Sequence, residues 1–300
     1  MGRLSILPPE ILDSILNMLD LENLTHFRAI SSRSRASVDN VSSYNGIIQH
    51  CPNALRALLS TQMATHFTPQ DIFETLCTPA CSGCGKFGPF LDMFTARRYC
   101  FRCIKFSDDL LTMTVTLAKT EFALTSKAVR ALPTLLSIPG MYSDLKRWYK
   151  RRFSLVRITA ASALPSAKQH DSHLLLGGPG ESTGAGALLH CSPELLQYIN
   201  SKRHRPYRFM AVLRFPHLDR PTGILDWGVF CQACRLAPKG LRRACRDWRT
   251  FYSASGYMEH FQKCEASQMG RAVAHKYTYG DYWAPIWTPR FLRYLTSIKL

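Results

Sequence analysis

Three Cys-x2-Cys pairs constrain this chain more than any other feature: Cys81/Cys84, Cys100/Cys103 and Cys231/Cys234. With 11 cysteines in 300 residues, chance would place only about 0.4 such pairs in the sequence. Two cysteines three apart on a tight turn aim both sulfurs at one ion, and two such turns complete a tetrahedron. The gap from Cys84 to Cys100 is 15 residues, the spacing of a four-cysteine zinc site. Gly83, Gly85 and Gly88 free the first turn. Phe90 to Phe94 and Arg98 to Phe101 are predicted as the strands between the turns. Four cysteine ligands leave no open position, so Cys81, Cys84, Cys100 and Cys103 predict a structural zinc rather than a catalytic one. Nearby Arg97, Arg98, Arg102 and Lys105 favour thiolate over thiol. Cys77, just upstream, is the alternative ligand.

The third pair has partners further on. The apolar run Ile224 to Phe230 leads into Cys231, and Ser255 to Ser267 is predicted as a helix. That helix puts His260 and Cys264 at i and i+4 on one face. Cys231, Cys234, His260 and Cys264 thus form a second structural site, and the expected cofactor is two zinc ions. The gap between Cys234 and His260 is 25 residues and contains Cys245, a rival ligand. An odd cysteine count argues against a disulfide framework. A RING-type ligase domain needs interleaved pairs within a short span. Here the clusters stand about 130 residues apart, which excludes it.

The first forty-five residues predict three short helices. Pro8 and Pro9 suit a first helical turn. Ile11, Leu12, Ile15, Leu16 and Leu19 then recur at helical spacing. Asp20 is the expected N-cap of a helix carrying Leu21, Leu24, Phe27 and Ile30. Ser31 and Ser32 interrupt the pattern before a third segment ending near Val38. So small a unit cannot bury all this apolar surface alone and must pack on the rest of the chain or on a partner. Pro52 and Thr68-Pro69-Gln70-Asp71 signal two further helices over 46–77. Residues 111–150 look mostly helical, broken at Pro133 and Pro139-Gly140. Residues 161–188 look like a loop. Its glycines, Gly177 to Gly186, lack the Gly-Lys-Ser/Thr ending of a phosphate cradle. Residues 207–215 alternate as a strand, with Tyr207, Phe209, Ala211, Leu213 and Phe215 on one side.

The net charge is +17. Residues 1–45 hold 4 Lys and Arg against 5 Asp and Glu, while residues 201–270 hold 13 against 5. A basic body suits an acidic target. It also keeps open an alternative, a zinc-containing nucleic-acid-binding or regulatory protein. That alternative draws on Lys202, Arg203, His204, Arg205, Tyr207 and Arg208, and on Arg242, Arg243, Arg246 and Arg249. No apolar run approaches the roughly 18 residues of a membrane span. Pro8, Pro9, Glu10 and Asp13 break the apolar N-terminus, which does not resemble a secretory signal. A cytoplasmic or nuclear protein is expected. No nucleophile–base pair or carboxylate pair stands out, so the chain is not expected to be an enzyme.

Leu7-Pro8-Pro9-Glu10-Ile11, followed by Ile15, Leu19, Leu21, Leu24 and Phe27, resembles the F-box over residues 3–45. The resemblance implies a substrate receptor of a Skp–cullin–F-box ubiquitin ligase. Leu7, Pro8, Ile11, Ile15, Leu19 and Leu24 would then touch a Skp-type adaptor and, through it, a cullin–RING ligase. The whole arrangement is similar to a class of F-box proteins common in filamentous fungi, with Tyr257 to Ala266 the nearest match. The expected fold is α+β and mainly helical. It places an F-box at 3–45, a helical linker at 46–77 and a four-cysteine segment at 78–110. A helical and loop region at 111–204, a basic zinc-binding segment at 205–270 and a tail at 271–300 follow. Short β-hairpins are expected in the zinc-stapled body.

Overall fold

The computed structural model describes residues 6–142, 147–164, 191–201, 204–236, 250–264 and 274–276. Among these, helices predominate and short strands pair antiparallel. The expected glycine-rich loop, Cys245, Lys202, Arg203 and Arg242 to Arg249 lie outside the described residues, as does most of the tail.

The N-terminal helices form where local chemistry asks for them. Helix α1 spans Pro9–Met18, with Pro9 at its first position, where no backbone donor is needed. Helix α2 spans Leu21–Ile30, and Asp20 accepts the Asn23 N–H at 2.8 Å as its N-cap. Helix α3, Ser32–Asp39, is capped by Ser31 in the same way. Helices α4 (Ser42–His50), α5 (Pro52–Ser60) and α6 (Pro69–Leu76) follow. Thr68 and Asp71 close a reciprocal capping box on α6.

One apolar core joins these helices to the body. Leu16, Leu21 and Leu24 meet Tyr44, Leu55 and Leu58, and the same core continues to Leu91, Leu213 and Phe251. The Leu21 N–H donates to the Phe67 carbonyl at 2.9 Å, anchoring the start of α2 to the segment just ahead of α6. Core continuity therefore runs through the expected boundaries at 45 and 77.

The centre of the body is a three-stranded sheet. Strand β1 (Phe90–Asp92) lies between β2 (Arg97–Tyr99) and Val212–Arg214. Two expectations change here. Residues 207–215 are half helix, Pro206–Met210, and only Val212–Arg214 is strand. Pro206 starts that helix, and all five of its residues are buried. When every face of a segment is buried, arginines included, alternation carries no information. Residues 111–150 are also mixed rather than mostly helical. Two short helices, Val115–Glu121 and Ser126–Arg130, are followed by strands from Leu135 onward.

Arginines run through this core. Arg98, in β2, is 2% exposed and lies over the Phe215 ring. Its guanidinium donates to the carbonyls of Thr75 at 2.7 Å, Gly88 at 2.8 Å, Phe215 at 3.2 Å, Leu76 at 3.3 Å and Pro216. Burial pulls its pKa down to about 9. The last carbonyls of α6 have no intrahelical donor and carry the negative end of its dipole, so a cation suits them. Arg98 thus binds α6 to the first cysteine turn and to the end of the central sheet. Replacing Arg98 with Met should cost about 3 kcal/mol or more, because several buried carbonyls lose their donors. The urea midpoint would show it; a shift equivalent to under about 0.5 kcal/mol would discount the clamp.

Candidate functional site

The first cysteine turn is built by hydrogen bonds. The Cys81 carbonyl accepts from Gly85 N–H at 2.8 Å, and the Ser82 N–H donates to the Arg98 carbonyl at 2.8 Å. Gly85 sits at φ +71°, where only glycine is free of strain. A Cβ on Gly88 would stand 3.1 Å from the Cys81 backbone, so the crossing needs glycine too. The second turn follows β2. The Cys100 sulfur accepts the Cys103 N–H at 3.4 Å and so caps the helix Phe101–Phe106. The sulfurs of Cys81, Cys84, Cys100 and Cys103 all lie within 4.8 Å of one another, with Cys84 and Cys100 3.6 Å apart.

Four sulfurs about 2.3 Å from a central ion stand about 3.8 Å from one another, so the cluster fits one tetrahedral zinc. Its protonation points the same way. Cys81 is drawn down to about 4 because the Cys100 thiol donates to it, while Cys100 is pushed up for the reciprocal reason. One thiolate is held at the cost of its neighbour's ionisation. A divalent cation removes that conflict. Cys77 lies outside the tetrad.

The second cluster assembles Cys231, Cys234, His260 and Cys264, again within 4.8 Å. Strand Val229–Cys231 brings the first cysteine, and the Cys234 N–H donates to its sulfur at 3.5 Å. The helix is Ala254–Lys263, shorter than Ser255–Ser267 would make it, and Cys264 is its C-cap residue. The Cys234 sulfur lies 3.5 Å from His260 Nε2 and 3.3 Å from the Cys264 sulfur. The His260 ring stacks on Tyr252 at 4.4 Å, which fixes its plane. Burial pushes the Cys234 thiol up. Three sulfurs and an imidazole nitrogen also suit zinc, and all four positions come from protein.

The basic residues are placed less as a surface than their count suggests. Arg208 is buried and donates to Asn200 Oδ1 at 2.8 Å and to the carbonyls of Ile104 and Lys105. Arg214 is buried against the rings of Phe90 and Phe251. His204 and Tyr207 are buried as well. Sequence counting cannot tell such core arginines from solvated ones.

Helix α1 has two faces. Leu16 seals it to the core, while Ile11, Ile15 and Met18 remain 50%, 39% and 81% exposed at i, i+4 and i+7. Ile6 and Pro8, ahead of the helix, are also exposed; Leu7 and Leu19 are half-buried, Leu19 against the core. Leu24, expected to touch an adaptor, is instead 0% exposed. It occupies the inner stripe of α2, so its role is to hold the helices on the body. Met18 was legible from the spacing of Ile11 and Ile15; Ile6 was not, because it precedes the helix.

The F-box domain family model matches residues 4–46. This stretch is an F-box domain. No curated protein and no solved structure matches the chain. The F-box therefore accounts for α1 to α3 and the start of α4, and the two cysteine tetrads stand on their own geometry. Among the described residues, no helix is long and apolar enough to cross a membrane.

Proposed function

We propose that the chain is a non-catalytic substrate-recognition subunit of a Skp–cullin–F-box ubiquitin ligase. The F-box docks a Skp-type adaptor through Ile11 and Ile15, flanked by Leu7, Pro8 and Leu19. Two structural zinc ions stiffen the body, which holds the target. The observation that carries this reading is the division of α1: one stripe fastened to the body, the other left apolar and exposed inside an F-box. An exposed run of isoleucine and methionine is costly in water unless a partner covers it. The ligase reading places the protein in the cytoplasm or nucleus.

The nucleic-acid alternative draws less support, since Arg208 and Arg214 donate to backbone carbonyls, and Arg214 lies over aromatic rings, inside the core rather than facing phosphates. Co-purification separates the two readings. The tagged chain, expressed with a Skp-type adaptor and a cullin, should retain both on a column at moderate salt. Retention of neither, together with nucleic-acid binding whose affinity falls steeply with salt, would reverse the choice.

A further inference from the structure

The two tetrads differ in one respect that their shared chemistry hides. Cys231, Cys234 and Cys264 are all buried. In the first tetrad Cys84 is exposed, and Cys100 and Cys103 are half-covered. The turn that carries Cys84 is open: a Cβ built on Gly85 meets nothing within 4 Å. Gly85 also lines a groove of about 570 Å³ between that turn and the start of the helix Ala254–Lys263. A small solute can therefore meet the Cys84 sulfur directly from solvent, whereas the second cluster's three sulfurs are buried, even though its His260 lines a groove of about 450 Å³. A partner for oxidation is in place, because the Cys100 sulfur lies 3.6 Å away. Closing that distance to the roughly 2.05 Å of a disulfide needs a movement of about 1.5 Å, small for a turn on the surface.

We propose that Cys84 is a peroxide-sensitive site and that Cys100 resolves it. The inference rests on the zinc reading of the first tetrad. The Cys84 thiolate attacks one oxygen of hydrogen peroxide, breaks the O–O bond, and becomes a sulfenic acid with release of hydroxide. The Cys100 thiolate then attacks the Cys84 sulfur and expels a second hydroxide. One disulfide forms, two sulfurs lose one electron each, and the two peroxide oxygens take them up. Cys81 and Cys103 alone no longer complete a tetrahedral site, so the first tetrad gives up its ion. The second keeps its own, because burial shields its sulfurs.

Elemental analysis of the purified full chain comes first. Two zinc ions per chain are expected; none would overturn the zinc reading and this inference with it. Dilute hydrogen peroxide is then added with a colorimetric zinc indicator, and free thiols are alkylated for peptide mapping. One zinc equivalent should appear about tenfold faster than the other, with a Cys84–Cys100 disulfide and with Cys231, Cys234 and Cys264 still reduced. Two ions present but released together, neither released, or Cys84 recovered as free thiol would each overturn the proposal while leaving the zinc reading intact. C84H offers a non-oxidisable ligand in the same place. It should hold two ions and lose the fast release; fast release persisting in it would exclude Cys84. Should C84H not hold its ion, the wild-type peptide map decides alone.

Discussion

Stripping zinc from the chain should unfold it. The second tetrad shows why. Among the described residues its own apolar cluster consists of Cys231, Ala233, Cys234, Tyr257 and Cys264, with Val229 and Tyr252 packed alongside. Phe230 and Phe251 tie the strand to the main core, but the side chains that meet between the strand, the turn and the ten-residue helix are mostly the ligands themselves, so their geometry depends on the ion. The ion supplies the rest, on the order of 10 kcal/mol for a structural site. That matches the whole net stability of an ordinary domain, roughly 5–15 kcal/mol. A high-affinity chelator removes both ions, about 20 kcal/mol together, and should lower the melting temperature by on the order of 40 °C, at about 2 °C per kcal/mol for a chain of this size. C234S should lose one zinc and show about half of that fall. Circular dichroism with and without added zinc reads both. An unaltered melt after metal analysis confirms removal would mean the tetrads are held by packing alone.

Two substitutions on the exposed stripe of α1 should abolish adaptor binding and leave the fold intact. Ile11 and Ile15, about half exposed, each offer a partner half of the roughly 1.5–3 kcal/mol of a full burial. Replacing both with Asp removes that and asks the interface to bury two unpaired carboxylates. A loss of at least about 3 kcal/mol, more than about 100-fold in Kd, is expected against a purified Skp-type adaptor by calorimetry. The melting temperature should change far less than the binding, because both side chains stand on the exposed side of α1 and neither belongs to the buried core. Leu24→Ala is the contrasting control. It empties a site at the centre of the joint between α2 and the body, so about 2–5 kcal/mol of stability should go. Full-strength adaptor binding by the Ile11/Ile15 double variant would remove the stripe from the interface.

The sequence by itself determined the parts whose signals are local. Asp20, Ser31, Thr68 with Asp71, and Pro9 cap or start helices through bonds spanning three or four residues, so their order along the chain is enough. The cysteine spacing likewise predicted which eight side chains gather into two clusters, because turn and helix geometry fixes the reach of each pair. Tertiary structure alone decided which apolar stripe is free. Leu24 and Ile15 look alike in sequence, yet one is sealed beneath α2 and the other faces water, since burial depends on what lies opposite. It also decided the fate of the basic residues. Arg98 reaches carbonyls at Thr75 and Phe215, and the latter lies 117 residues away. No pattern in the chain announces a contact of that separation. A guanidinium enters a core only where folding has converged enough unpaired carbonyls to replace its water.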